Sequence, residues 1–307
     1  MSALRQALAD HFAVRRALGY KLARSEKLLA QFLTFMEGRS ETHITTETAL
    51  TWATLPNGGR DWAFARLSVI RRFAMHMRGI DPKTEIPPTH LLSRQPHRAT
   101  PYLYSPADIA ALAAATDTLL KPHRAATLRT LIVLLSVTGM RVGEAIGLDR
   151  GDFDVVNGVL TVRNTKFGKS REVPIHPTTV TALRNYLHRA DRPRGLSDVQ
   201  PLFISEVGTR LQYNGVQQTF RRVVHCAGLK TRSASCRARL HDLRHGFAVN
   251  TILDGYRAGG DPKGRIALLS TYLGHVDPGS TYWYLSAAPE LMSLTGERLE
   301  RHLGGAA

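Results

Sequence analysis

Close to the end of the chain runs Leu273-Gly274-His275-Val276-Asp277-Pro278-Gly279-Ser280-Thr281-Tyr282-Trp283-Tyr284, a histidine after a Leu-Gly pair, then a Pro-Gly break and two tyrosines. His241-Asp242-Leu243-Arg244-His245 stands 34 residues before His275, and Arg141, in Thr138-Gly139-Met140-Arg141-Val142-Gly143-Glu144, stands 100 residues before His241. These side chains suit the breaking of a DNA phosphodiester without a metal ion. That reaction needs a nucleophile, a charge clamp on the non-bridging oxygens, a proton donor for the leaving oxygen, and fixed geometry. Arginine is the residue for the clamp, because its planar fork donates two parallel hydrogen bonds to a phosphate and never loses its charge. Arg141 and Arg244 are the candidates. His241 and Arg244, at i and i+3, share one helix face and can reach one phosphate together. Glu144 can pair with Arg141 or orient its neighbours.

A tyrosine phenol can attack phosphorus and store the bond energy as a phosphotyrosine ester, so rejoining needs no ATP. Tyr282 and Tyr284 both qualify, with Tyr272 a third candidate. Two positions two residues apart on a helix point roughly 200° apart, so only one of Tyr282 and Tyr284 faces the site. The leaving 5′ oxygen needs a proton, which lysine can give if neighbouring arginines lower its pKa. Lys166 and Lys169 share one hairpin tip and remain alternatives on spacing alone. His241 and His245 have zinc-ligand spacing, but no cysteine, third histidine or carboxylate cluster completes a site. No metal and no cofactor are expected, and His245 reads as a core or supporting residue.

These groups have to be carried by helices. Residues 3–18, 20–37, 46–54 and 60–78 show helical apolar spacing, with Arg66, Arg71, Arg72 and Arg78 off the apolar stripe of the fourth. That face is either solvated or turned to phosphates. Six of the 15 prolines lie between Pro82 and Pro106, which predicts a linker. The expected domains are therefore 1–95 and 96–307. Ser105-Pro106-Ala107-Asp108 opens a helix, with Ser105 as N-cap and Pro106 at the first position. Residues 125–137 form a nearly all-apolar, hence buried, helix that delivers the Thr138-Gly139-Met140-Arg141 turn, followed by a short helix at 141–147. Strands are expected at Phe153–Val156 and Val159–Arg163 around a type I′ Asn157-Gly158 turn, and at Arg171–Ile175. Helices are expected at 177–190, 213–227, 241–254, 263–273, 279–286 and 289–303. The fold class is mainly α with a small antiparallel β-sheet.

The net charge of +16 divides as +6 in residues 1–80 and +10 in the remainder, so both parts suit a polyanionic partner. Cys226 and Cys236 make no disulfide framework and fit a reducing cytoplasm. No apolar run is long enough to span a bilayer. A cytoplasmic protein that binds nucleic acid and no membrane is the expectation.

In order along the chain, these boxes resemble the tyrosine recombinase (phage-type integrase) family. Thr138–Glu144 is similar to its first arginine box and His241–His245 to its second. Lys166-Phe167-Gly168-Lys169-Ser170-Arg171-Glu172-Val173-Pro174 resembles its β-hairpin segment, whose earlier lysine is catalytic, which selects Lys166. Leu273-Gly274-His275 with a tyrosine nine residues on resembles the third box and selects Tyr284. The implied catalytic set is Arg141, Lys166, His241, Arg244, His275 and Tyr284. Gly246 stands where a hydroxyl residue is common, and Tyr282-Trp283-Tyr284 is bulky; neither touches that set. The resemblance implies an N-terminal helical core-binding domain and a catalytic domain with a C-terminal tail helix, closing as a C-shaped clamp on double-stranded DNA. It also implies specific recombination sites, a homo-tetramer on two paired sites, and integration, excision or resolution of a mobile element. A type IB topoisomerase would share this chemistry as a monomer, and an accessory DNA-binding protein would carry the set as a vestige.

Overall fold

The computed structural model describes residues 3–20, 22–55, 58–92, 99–163, 170–194, 200–258 and 262–274, with single positions 279, 296 and 300. The chain divides into two compact units, Met1–His97 and Arg98–Ala307. Among the described residues no helix is long and apolar enough to cross a membrane.

The first unit packs α1 (Ala3–Ala17), α2 (Ala23–Glu37), α3 (Thr46–Thr54) and α4 (Gly59–Arg78) around Phe32, Leu33, Met36, Ile44, Ile70 and Phe73. Thr45 caps α3 by accepting a hydrogen bond from the Thr48 backbone at 3.1 Å, the role expected of a threonine just before a helix. Arg72 is exposed, as expected of a solvated or phosphate-facing stripe, but the other arginines named on α4 are drawn into contacts with the protein. Arg66 is buried, stacks 3.4 Å from the Trp52 ring centre and donates to the Trp52 carbonyl at 2.6 Å. Arg71 donates to the carbonyls of Pro87 and Pro88, both at 2.6 Å, and Arg78 to that of Thr84 at 2.6 Å. The start of the proline-rich stretch is therefore no free linker. Prolines cannot donate but keep their carbonyls; Arg71 uses those of Pro87 and Pro88, and Arg78 that of Thr84, to strap residues 84–88 to the bundle. Glu85 adds bonds to Ile44 and Thr46.

In the second unit α5 (Pro106–Ala115) starts with the expected box: Ser105 accepts from the Asp108 backbone at 3.1 Å, and Asp108 accepts from the Ser105 backbone at 2.9 Å. α6 (Pro122–Thr138) is the central helix, with Leu131, Ile132, Leu134 and Leu135 at most 1% exposed. It packs against α5, α8 (Pro177–Leu187) and α10 (Leu240–Arg257). α7 (Val142–Gly147), α9 (Tyr213–Cys226) and α11 (Pro262–Leu273) complete the described α-helices. The antiparallel sheet has the order β1 (Phe153–Asp154), β2 (Val159–Val162), β3 (Arg171–Pro174). Its first connection is not the expected two-residue turn. Asp154 pairs with Val159, so residues 155–158 form the loop. Asp154 itself accounts for this, accepting from the backbones of Val156 and Asn157 and from the Asn157 amide, a local side-chain bond that competes with strand pairing. The expected helices at 279–286 and 289–303 lie almost wholly outside the described residues, as does the 164–169 hairpin tip.

His11 in α1 is buried edge-on to Phe73 and 4.9 Å from the His76 ring, with its pKa lowered to about 4 by burial, then by His76, Arg15 and Arg72. A histidine more acidic folded than unfolded binds fewer protons when folded. Stability is then complete above its ordinary 6.5 and falls as pH drops through the window down to about 4. The full loss at this site is roughly 3 kcal/mol. Denaturant melts of the N-terminal unit's transition from pH 4 to pH 7 should show this slope, and His11→Phe should flatten it.

Candidate active site

Gly139 ends α6 in the left-handed conformation, φ 59°. A methyl group at this position would lie 2.4 Å from Phe247 and 3.0 Å from Leu273, so both φ and space demand glycine here. The chain then turns through Met140, which is buried, into Arg141, the residue preceding α7.

Arg244, on the first turns of α10, is 2% exposed. It donates from Nη1 to the Gly139 carbonyl at 2.8 Å and from Nη2 to the Leu273 carbonyl at 2.9 Å. Gly139 caps the C-terminus of α6, and Leu273 is the last residue of α11. Helix C-termini present carbonyls without intrahelical partners and the negative end of the helix dipole. A guanidinium buried between two such ends is stabilised by the carbonyls and dipoles of both. It also ties together the first box, through Gly139, and the third, through Leu273.

The second cation is held differently. Glu144, 8% exposed at its side chain, accepts from the Arg141 backbone at 3.0 Å and from Arg141 Nη1 at 2.7 Å. Its two oxygens also accept from Arg171 Nη1 at 3.2 Å and Nη2 at 2.7 Å. Burial alone would raise the Glu144 pKa; the bonds and charge of Arg171, with those of Arg141, bring it down to about 2. The carboxylate is thus charged throughout the neutral range. Arg141 remains over one-third exposed, with its Nε and Nη2 making no hydrogen bond among the described residues. Two guanidiniums on one carboxylate leave an excess positive charge on a partly open surface, which is what a phosphate requires.

His241 is exposed at the start of α10. Its pKa is lowered first by poor hydration against the packed protein, then by Arg244, and more weakly by Arg141 and Arg239, with Asp242 opposing. Its response to both Arg244 and Arg141 marks one electrostatic site built from two boxes. The neutral imidazole favoured at pH 7 can accept a proton. Asp242, fully buried, is held by the backbone and side chain of Arg239 at 2.9–3.2 Å, which fixes the helix start. His245 is buried, its ring edge-on to His241 at 4.9 Å. Among the described residues no group of three His, Cys, Asp or Glu converges. Tyr272 stacks on Phe247, and burial raises its phenol pKa, against Arg171. That makes it a poorer nucleophile than an ordinary phenol.

The structure therefore brings Arg141, His241 and Arg244 together. Lys166, with its alternative Lys169, and His275, Tyr282 and Tyr284 lie outside the described residues; His275 directly follows Gly274, which is described. Sequence reasoning did not single out Arg171. The available signal was strand alternation: Arg171 lies on the same face of β3 as Val173, which is fully buried, and pairs with buried Val162. A charged residue pointing inward from a strand needs a partner inside, and Glu144 is that partner. Since loss of Glu144 leaves Arg171 buried without its anion, Glu144→Ala should cost roughly 3–5 kcal/mol in denaturant unfolding. Arg141→Ala should cost under about 1 kcal/mol, its side chain being over one-third exposed and Glu144 keeping its pairing with Arg171.

Comparison with known proteins bears on the same region. Residues 104–290 match the model of the phage integrase family. The chain is 44% identical to y4rB of Sinorhizobium fredii, named as an inferred integrase/recombinase, over 98% of each chain. It is 29% identical to the tyrosine recombinase XerA of Pyrococcus furiosus, over 58% of this chain and 57% of that one. Among solved structures, the integrase of transposon Tn1549 in complex with circular-intermediate DNA shares the fold, with a TM-score of 0.60 at 17% identity, covering 97% of this chain and all of that one. With the two arginine boxes and the Leu-Gly-His box inside the matched segment, and a relative this similar along almost the whole length, the chain belongs to the phage integrase family of tyrosine recombinases.

Proposed function

We propose that this chain is a site-specific DNA recombinase that cuts and rejoins DNA through a covalent 3′-phosphotyrosyl intermediate. In this reading Tyr284 attacks the phosphorus of the scissile phosphodiester and His241 takes the phenolic proton. The 5′-bridging oxygen leaves with a proton from Lys166. Arg141, Arg244 and His275 hold the non-bridging oxygens as negative charge builds on them. The products are a 3′-phosphotyrosyl ester and a free 5′-hydroxyl, and attack by another 5′-hydroxyl reverses the chemistry without ATP. Arg141 and Arg244 supply the charge that many nucleases take from a metal ion, with His275 as a further hydrogen-bond donor, so no metal is required.

The observation that carries this reading is the buried Arg244 bridge between the Gly139 and Leu273 carbonyls. It joins the segment before Arg141 to the segment before His275 through the helix bearing His241. The basic charge of both units supports duplex DNA as the partner, with residues 1–95 as the core-binding domain and 96–307 as the catalytic domain. The Tn1549 likeness supports a mobile-element role, in integration, excision or resolution. A homo-tetramer on two paired sites, with exchange of single strands, completes the proposal.

Tyr284→Phe protein should bind DNA normally at moderate salt, and sequencing that DNA identifies the target. On a nicked duplex of that sequence, in EDTA, Tyr284→Phe should form no covalent adduct while Tyr282→Phe forms it. The reverse pattern would move the nucleophile to Tyr282. Lys166→Ala should slow cleavage by roughly 10²–10⁴-fold. A substrate with sulfur at the 5′-bridging position leaves without protonation, and should restore cleavage by Lys166→Ala but not by Arg141→Ala.

A further inference from the structure

Arg171 sits where three separate parts of the site meet. It opens β3 and pairs with Val162, the last residue of β2, so it closes the base of the connection whose sequence includes Lys166. Both ends of its guanidinium bind Glu144, at 3.2 and 2.7 Å, and Glu144 in turn holds the Arg141 backbone and side chain. The same group lies beside Gly274, which has φ 68°; a methyl group there would stand 3.0 Å from Arg171 Nη1 and 3.3 Å from its Cζ. Gly274 immediately precedes His275. The side chain is 13% exposed, so surrounding protein fixes its direction.

We infer that Arg171 is a positioning residue for strand cleavage, setting the Arg141, Lys166 and His275 segments against one another through Glu144, the hairpin base and Gly274. This inference rests on the recombinase reading above. The physical reason is the shape of the group. A planar fork bound at two points to one carboxylate fixes both the distance and the plane of its partner. Lysine keeps the charge but offers a single compact ammonium that does neither. Misplacement by about 1 Å of groups around a reacting phosphate costs on the order of 10²-fold in rate.

The test uses the full-length chain and the nicked duplex carrying the sequence recovered on Tyr284→Phe protein. Single-turnover adduct formation, the duplex Kd and the melting temperature are measured together. Arg171→Lys is expected to slow adduct formation by on the order of 10²-fold while Kd changes by less than about threefold. On a Glu144→Gln background the same substitution should cost much less than it does alone, because its main route of action is already lost. Arg171→Lys protein that forms adduct at the wild-type rate overturns the inference, whatever its melting temperature. If that variant does not fold, the paired Glu144→Gln, Arg171→Gln protein removes both charges at once; a normal rate from it likewise overturns the role, and a slowed rate with unchanged Kd supports it. Wild-type protein that forms no adduct on this duplex overturns the recombinase reading itself, and this inference with it.

Discussion

A charged guanidinium buried in the protein interior is the constraint around which the second unit is built. Arg244 satisfies it with the carbonyls of Gly139 and Leu273, the C-terminal ends of α6 and α11. Two helices must therefore finish at the same point, within hydrogen-bonding distance of the helix that carries the arginine. The long apolar α6 makes this possible by anchoring its end in the core, where Leu134 and Leu135 are almost fully buried. The left-handed Gly139 then turns the chain sharply enough to bring Arg141 back over the same region. Arg244 thus serves packing and electrostatics together, since a cation between two helix C-termini is stabilised by their dipoles and leaves its positive field for an incoming anion.

The neighbouring charges are arranged on a different principle. Arg141 and Arg171 share Glu144, whose pKa near 2 keeps the ion pairs intact throughout the neutral range. The inner arginine, Arg171, is spent on structure, and the outer one, Arg141, is left facing water. His241, with its pKa lowered by its surroundings and by the same arginines, stays neutral where those arginines stay charged. A neutral base beside fixed cations is the distribution that a phosphate-attacking phenol needs, because the base can take a proton while the cations hold the phosphate.

Charge in the first unit teaches the opposite lesson. Counting arginines on α4 suggests a surface for phosphates, but Arg66 is stacked on Trp52 and Arg71 and Arg78 hold the 84–88 segment. A guanidinium has five donors and is weakly hydrated, so it is as well suited to collecting carbonyls from an extended, proline-containing strand as to binding DNA. Net charge therefore indicates a class of partner but does not identify the residues that touch it.

What the sequence determines by itself is what depends on neighbours along the chain. Local pattern located the described α-helices other than α5 to within a few residues, the Ser105–Asp108 box set the start of α5, and the ordered Arg141, His241–Arg244 and Leu273–His275 boxes identified the family. The four-residue loop after β1 was not legible, because Asp154 offers the backbone acceptors that outweigh the local preference of Asn157-Gly158 for a tight turn. Only the tertiary structure decided which arginine does what. Arg141, Arg171, Arg244 and Arg66 are the same side chain in sequence, and their roles diverge by partner: a carboxylate shared at the surface, the same carboxylate gripped from inside, two helix ends, and a tryptophan face. Those partners lie 3, 27, 105 and 14 residues away along the chain. Local pattern carries no information about contacts at the longer separations, since they exist only once the core has brought the helices together.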